Sequence, residues 1–252
     1  MAKKLRDPNY LIQTIVQTGS QKEALSTQYI AQLLDLSVDK PTHMVFFDEK
    51  VAEAKLLNSP LIKSCHVKSV GTGSIYVDYE LREPFAIVAD YHNLAMDEEE
   101  NLFPLKPFFT PQIIPEIYLG VNEENNFEMD LALPLALKVL KEGQSQFSST
   151  RLKIVRVDVS RAFLPSLGQR EIVAKLEDEL HHGGKRFIFT YLLRLNTKEY
   201  KKNIRQFFAL RKELLKEQKH YCSEFEDSSE AQFNFTKSID LRIESLAYIN
   251  LD

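Results

Sequence analysis

Tryptophan is absent from the 252 residues, cysteine occurs only twice and glycine eight times. Two cysteines, Cys65 and Cys222, are too few for a disulfide scaffold, and their separation matches no zinc-ligand spacing, so they leave the redox compartment undecided. So few glycines nearly exclude a glycine-rich phosphate loop. Gly-x-Ser-x-Gly, His-Glu-x-x-His and the P-loop are all missing, which makes catalysis an unexpected role. No stretch reaches the ~18–20 consecutive apolar residues of a membrane helix, and Met1 to Pro8 lacks the apolar core of a signal peptide. As written, the chain reads as soluble throughout. A basic excess is missing as well. Lys plus Arg is 32 against 36 Asp plus Glu, a net charge of −4, and this argues against nucleic acid as the partner, because phosphate binding needs a positive surface.

What is present is ordinary for a folded protein: 44% apolar, 27% charged and 10% aromatic residues, in a length that suits one large or two modest domains. Residues Tyr10–Gln17, rich in β-branched and aromatic types, predict a strand ending at Gly19. A helix capped by Ser26 follows, with Ile30, Leu33 and Leu34 on one face. A second helix is expected from Asp48, with Val51, Ala54 and Leu57 as its buried stripe, ended by Asn58-Ser59-Pro60. Strands are predicted at Lys63–Val70 and Ile75–Leu81, turned by Gly71-Thr72-Gly73. In the second, Ile75, Val77, Tyr79 and Leu81 alternate with Tyr76, Asp78 and Glu80, the pattern of a sheet with one buried face. The first ~80 residues thus read β-α-α-β-β, two helices on a small three-stranded sheet.

After Arg82-Glu83-Pro84, strand 85–90 is expected to form a hairpin with a return at Asn101–Phe103. Pro104, Pro107, Pro111 and Pro115 then impose an extended connection. Asp130–Leu140 predicts a helix closed by Gly143. Three strands follow, with inward sets Val155/Val157/Val159, Ile172/Ala174/Leu176 and Phe187/Phe189/Tyr191/Leu193/Leu195; His181-His182-Gly183-Gly184 turns the chain between the last two. Asn196 and Glu199 have the spacing of a capping box. The helix they open carries Tyr200, Ile204, Phe207, Phe208, Leu214 and Leu215 on one side and ends near Lys216 and Lys219. Ser223–Glu230 reads as a mobile loop. Strand Ser238–Ile243 and the apolar run Leu246–Ile249 close the chain. The expected class is α+β: a tail over 1–9, a first domain over 10–83, and a larger mixed antiparallel-sheet domain with flanking helices over 84–252.

Isolated candidates for chemistry resolve into structural roles. His181 and His182 are adjacent, so they point apart, and no third ligand lies nearby in sequence. Asp97-Glu98-Glu99-Glu100 lacks the alternating spacing of a calcium loop and reads as a solvated hairpin tip. Cys65 and His66 are strand neighbours and face opposite sides, which leaves Cys65 a buried structural thiol. The lysines and arginines of helix 198–216 interleave with aromatics at core spacing and read as a solvated face. No catalytic residue, metal or cofactor is expected. The interaction device that remains is the terminal strand: at the end of a β-rich domain it is either an edge that offers free N–H and C=O groups to another chain or a strand that merely completes the sheet.

Six short segments, in order, resemble the FtsQ/DivIB family of bacterial cell-division proteins. They are Asn58–Val67; Ile75–Ala86, containing Arg82-x-Pro84-x-Ala86; Met96-Asp97 with Phe103–Leu105; Ile114-Pro115 to Tyr118–Gly120; Tyr191–Leu195; and Ile239–Arg242. The pattern differs at Leu61-Ile62, where the family carries Trp-Val, at Asn196, at Glu99 or Glu100, and at Glu244-Ser245-Leu246, where it carries glycine. The resemblance implies a POTRA domain over 10–83 and an FtsQ-type β domain after it. It implies a single-pass protein of the inner membrane with both domains extracytoplasmic, its anchor absent from this chain, and a non-enzymatic scaffold role in septum formation. It further implies FtsB-like and FtsL-like partners, added as a strand along Leu241, Arg242, Ile243, Glu244, Ser245, Leu246, Ala247 and Tyr248, with the Tyr200 helix in support. Two other readings stand beside it: a POTRA-containing outer-membrane assembly or secretion module, and an enzyme with a site that no motif announces.

Overall fold

The computed structural model describes residues 7–19, 23–121, 129–225, 228 and 230–251. Most of the expected tail and parts of the 223–230 loop lie outside them. Among the described residues the chain is α+β, with four α-helices and two mixed sheets, of three and nine strands. It divides into two compact units, Met1–Pro84 with Asn93–Gln112, and Phe85–His92 with Ile113–Asp252. The segment 93–112 therefore groups with the first unit, whereas the linear division at residue 84 assigned it to the second.

The first unit runs β1 (Thr14–Gly19), α1 (Thr27–Leu33), α2 (Glu49–Leu57), β2 (Ile62–Val70) and β3 (Ser74–Leu81). The chain enters the second unit for β4 (Ala86–Val88) and returns for β5 (Leu94–Met96) and β6 (Leu102–Pro104), an antiparallel hairpin. Strand β3 lies in the middle of its sheet, parallel to β1 and antiparallel to β2. The start of β1 differs from expectation because Pro8–Tyr10 forms a 3-10 turn capped by Asp7. Both expected helix caps are made: Ser26 Oγ accepts from the Tyr29 N–H, and Asp48 Oδ1 from those of Lys50 and Val51. The face of α2 differs. Ala52 and Leu56, only 40° apart on a helical wheel, are buried, while Val51 and Leu57 are exposed. The alternation in β3 appears in full, with Ile75, Val77, Tyr79 and Leu81 in the core beside Ile30, Leu56 and Phe103.

The second unit continues with β7 (Glu116–Tyr118), α3 (Met129–Phe147), β8 (Lys153–Asp158), β9 (Ile172–His182), β10 (Lys185–Leu195), α4 (Tyr200–Glu224), β11 (Gln232–Asp240) and β12 (Tyr248–Leu251). Its strands run in the order β12-β11-β10-β9-β8-β7-β4. Strand β4 pairs in parallel with β7 rather than in a hairpin with residues 101–103, whose partner is β5. The pairs β7/β8 and β10/β11 are also parallel, which requires crossovers, and α3 and α4 supply them.

Helix α3 runs past Gly143 instead of ending there. A Cβ at Gly143 would sit 2.0 Å from Ile154 Cδ1, so this glycine lets the helix approach β8 closely. Strand β8 also shifts register between Ile154 and Arg156. The irregularity displaces Val155 from the inward set, so Ile154, Val157 and Val159 are buried instead. Strands β9 and β10 present the expected inward residues. At the start of α4, Asn196 Oδ1 accepts from the Lys198 and Glu199 N–H groups; the reciprocal acceptor is Asn203, whose Oδ1 takes the Asn196 N–H at 2.8 Å, and not Glu199. The helix continues beyond Lys216 and Lys219 to Glu224, burying Gln218 and Cys222.

Candidate partner-binding edge

The C-terminal edge is built by β11, the turn after it and β12. Strand β11 pairs with β10 from Gln232 to Asp240, and the Leu241 N–H extends the ladder to the Arg194 carbonyl. Leu241 is fully buried. Residues 242–247 then reverse the chain, with Ser245 at φ +59° and the Leu246 N–H donating to the Ile243 carbonyl. Strand β12 returns antiparallel, placing Tyr248 opposite Asp240 and Leu251 opposite Lys237. Among the described residues no strand covers its outer side. Among the described residues the first part of β11, from Gln232 to Thr236, lacks a strand on the same side.

Of the residues expected to take a partner strand, Tyr248 alone lies in the edge strand. Ile243, Glu244, Ser245 and Leu246 form the exposed turn, Ala247 is half-buried, and Leu241 belongs to the core. Tyr200 is also buried, and that burial pushes its phenol pKa up. Helix α4 reaches the turn through Lys202 instead, whose ammonium pairs with Glu244. Sequence reasoning missed Ile249, Asn250 and Leu251 as the edge itself, because the run Leu246–Ile249 was seen without its pairing. Ile243, Leu246, Tyr248 and Ile249 are all substantially exposed, at 65, 54, 68 and 40%. Tyr248 and Ile249, on opposite faces of β12, and Ile243 and Leu246 in the turn place exposed apolar side chains on and beside a free backbone edge.

Behind the turn lies a cluster of charges. Arg242 clamps Asp240, with Nε 3.0 Å from Oδ1 and Nη2 2.6 Å from Oδ2. Burial works against the Asp240 carboxylate, but the Arg242 side chain and N–H outweigh it and hold the pKa below the ordinary aspartate value. Glu171, only 3% exposed, receives the Arg194 Nε at 2.7 Å, and the Arg161 and Arg242 guanidiniums lie at 2.9 and 3.3 Å. Arg194 also lies 3.5 Å from Asp240. Three guanidiniums thus face two carboxylates, one of them deeply buried, an arrangement that is tolerable only because every charge has partners.

The other candidates stay apart. His181 and His182 are exposed. Among the described residues no three His, Cys, Asp or Glu side chains gather at a metal-sized site. Cys65 is half-buried, its Sγ 3.5 Å from the Glu53 carbonyl oxygen, and burial pushes its pKa up to about 11, so it is a thiol rather than a thiolate at neutral pH. Cys222 is buried in α4, and both cysteines are free. The acidic hairpin tip is solvated at Glu98, Glu99 and Glu100, but Asp97 departs from expectation: it is 6% exposed and accepts from the N–H groups of Glu99 and Asn101 and from the Arg82 guanidinium at 2.9 Å. No family model matches the chain, and no curated protein matches it.

Proposed function

We propose that the chain is the extracytoplasmic part of an FtsQ/DivIB-type divisome scaffold held in the inner membrane. On this reading it binds FtsB-like and FtsL-like partners through a strand added to the outer edge of β12. The observation that carries the reading is that edge: a short terminal strand, open on one side, flanked by exposed Tyr248, Ile249, Leu246 and Ile243, and held from behind by Arg242, Asp240 and Glu171. An open strand edge with adjoining apolar side chains can recognise an extended segment. On this reading the role is a non-enzymatic one.

Two further features support it. Segments that resemble the family singly come together in space: Arg82 pairs with Asp97, and Arg194 lies against Asp240, itself clamped by Arg242. Glu100 and Ser245, in the two hairpins where the family carries glycine, have φ of +69° and +59°, the region that glycine favours. The β-α-α-β-β order of the first unit supports its reading as a POTRA domain.

The test is co-purification with FtsB-like and FtsL-like proteins of the same organism, using the wild type and the single variants Ile249→Pro and Asn250→Pro. Alternate N–H groups of β12 face β11 and the open side. One of the two prolines therefore removes an outward donor and leaves the β11 ladder intact. That variant should keep its circular dichroism and lose the complex. A complex that survives both substitutions in folded protein, or none with the wild type, refutes the proposal.

A further inference from the structure

A fork opens in the sheet of the second unit where β7 and β8 part. The two strands pair from Glu116/Arg156 to Tyr118/Asp158. Strand β8 begins earlier, at Lys153, and on the β7 side no strand pairs with residues 153–155 among those described. Their other side is occupied by β9, with Lys153 opposite Glu177 and Ile154 opposite Leu176. A cavity of about 670 Å³ fills the fork, within the size range of ligand sites. One wall is residues 113–116, the other residues 153–156.

That lining identifies what the cavity touches. Residues 153–156 all line the cavity, which also reaches Lys175 and Glu177 on β9, and on the β7 side residues 153–155 have no paired strand among the described residues, so their edge is open to it. The backbone of β8 therefore faces the cavity. Phe147, at the end of α3, supplies an apolar wall, and Gln144 and Ser148 a polar one. Among the five charged residues of the lining, Arg156 lies 3.9 Å from Glu116 and Lys175 lies 2.8 Å from Glu177. Lys153 stands opposite Glu177 and its charge acts on Glu179, but it makes no ion pair within 4.0 Å among the described residues, and three basic against two acidic side chains leave the lining with a net charge of +1.

The geometry points to a peptide site. A short extended segment of a partner protein enters the fork and adds to β8 where β7 falls short. A carboxylate side chain on that segment pairs with Lys153. Closed in by residues 113–116, the fork selects a linear motif rather than the edge of a folded sheet. It is separated from β12 by β9, β10 and β11, and it stands independently of the divisome reading.

A fluorescently labelled heptapeptide of alternating valine and glutamate tests this by anisotropy, with hydrogen exchange measured on the same complex of the whole chain. The expected result is saturable binding with slowed exchange in residues 153–155, and no binding of the valine–lysine counterpart. Lys153→Glu, at an exposed position, should weaken binding by about five- to tenfold while leaving the fold unchanged. N-methylation of alternate peptide amides should abolish it. No binding at about 1 mM peptide, equal binding of the lysine peptide, or protection confined to residues 248–251 and indifferent to Lys153→Glu would each overturn the proposal.

Discussion

Replacing Glu171 by glutamine tests whether the C-terminal turn rests on a buried charge. Its carboxylate is 4% exposed and serves Arg161, Arg194 and Arg242. Glutamine keeps the size and one acceptor oxygen, but it removes the charge and sets an amide NH2 against guanidinium donors. Breaking a fully buried ion pair costs about 3–5 kcal/mol. Here the three guanidinium side chains are 52, 37 and 23% exposed, so water recovers part of their solvation; the cost falls to about 1–3 kcal/mol. At about 2–4 °C per kcal/mol for a unit of this size, the unfolding transition of the second unit should drop by about 2–12 °C. Scanning calorimetry is the suitable assay, because two units need not melt together. A double-mutant cycle with Arg161→Ala should show coupling of about 1 kcal/mol, since the Arg161 guanidinium meets Glu171 at 2.9 Å. A Glu171→Gln transition within about 1 °C of wild type, with no coupling to Arg161, would refute the reasoning.

Three other expectations follow from single positions. Ser245→Gly and Glu100→Gly should each stabilise by about 0.5–1 kcal/mol in thermal unfolding, because both residues hold positive φ that costs a side-chain-bearing residue more than glycine; destabilisation would show that their side chains matter more than their backbone. Gly143→Ala should destabilise by up to about 2 kcal/mol, overpacking against Ile154 outweighing the helix gain, and Ile154→Val should rescue it by removing the clashing methyl. Asp97 gives the first unit an acid limit. Burial opposes its carboxylate, but the Asn101 N–H, Arg82 and further donors outweigh burial and lower the folded pKa. Its contribution is therefore complete above the unfolded value near 4 and is lost as pH falls through the folded one; urea midpoints measured down the acid range should show this in wild type and much less in Asp97→Asn.

How much of this was legible in the sequence depended on range. Ser26, Asp48 and the alternation Ile75/Val77/Tyr79/Leu81 act on their own backbone neighbours or face one core, and the structure shows them where the pattern put them. Pairings between distant segments were not legible. Ala86–Val88 carries no sign that its partner is Glu116–Tyr118 rather than the nearer Leu102–Pro104. Gly143 has the look of a helix terminator, and only Ile154 on another strand explains why it lies inside one. Near the C-terminus the apolar content was visible and the turn was not. Without glycine or proline in 241–247, a strand through Ile243 read naturally, whereas the chain bends there under the Arg242–Asp240 clamp. Glu171 could not be singled out at all, because a buried glutamate is recognisable only by the arginines that surround it.

The contrast between two sheet edges bears on why β12 should be the one a partner uses. Strand β2 is, with β1, one of the two outer strands of the first sheet, yet it is not free to pair. The Val67 N–H donates to Glu53 Oε1 at 2.9 Å and the Ser69 N–H to Glu49 Oε1 at 2.7 Å, so two carboxylates from α2 occupy donors a second strand would need. Covered or charged edges of this kind keep folded proteins from indiscriminate pairing. Strand β12 carries neither device. Its residues Tyr248, Ile249, Asn250 and Leu251 include no charge, and the ion pairs nearby hold the turn rather than cap the edge. An uncapped apolar edge exposes a protein to aggregation unless something normally covers it. On the proposed reading, the contrast with the glutamate-sealed β2 makes the uncharged β12, held from behind by Arg242 and Asp240, the edge at which a partner strand would add.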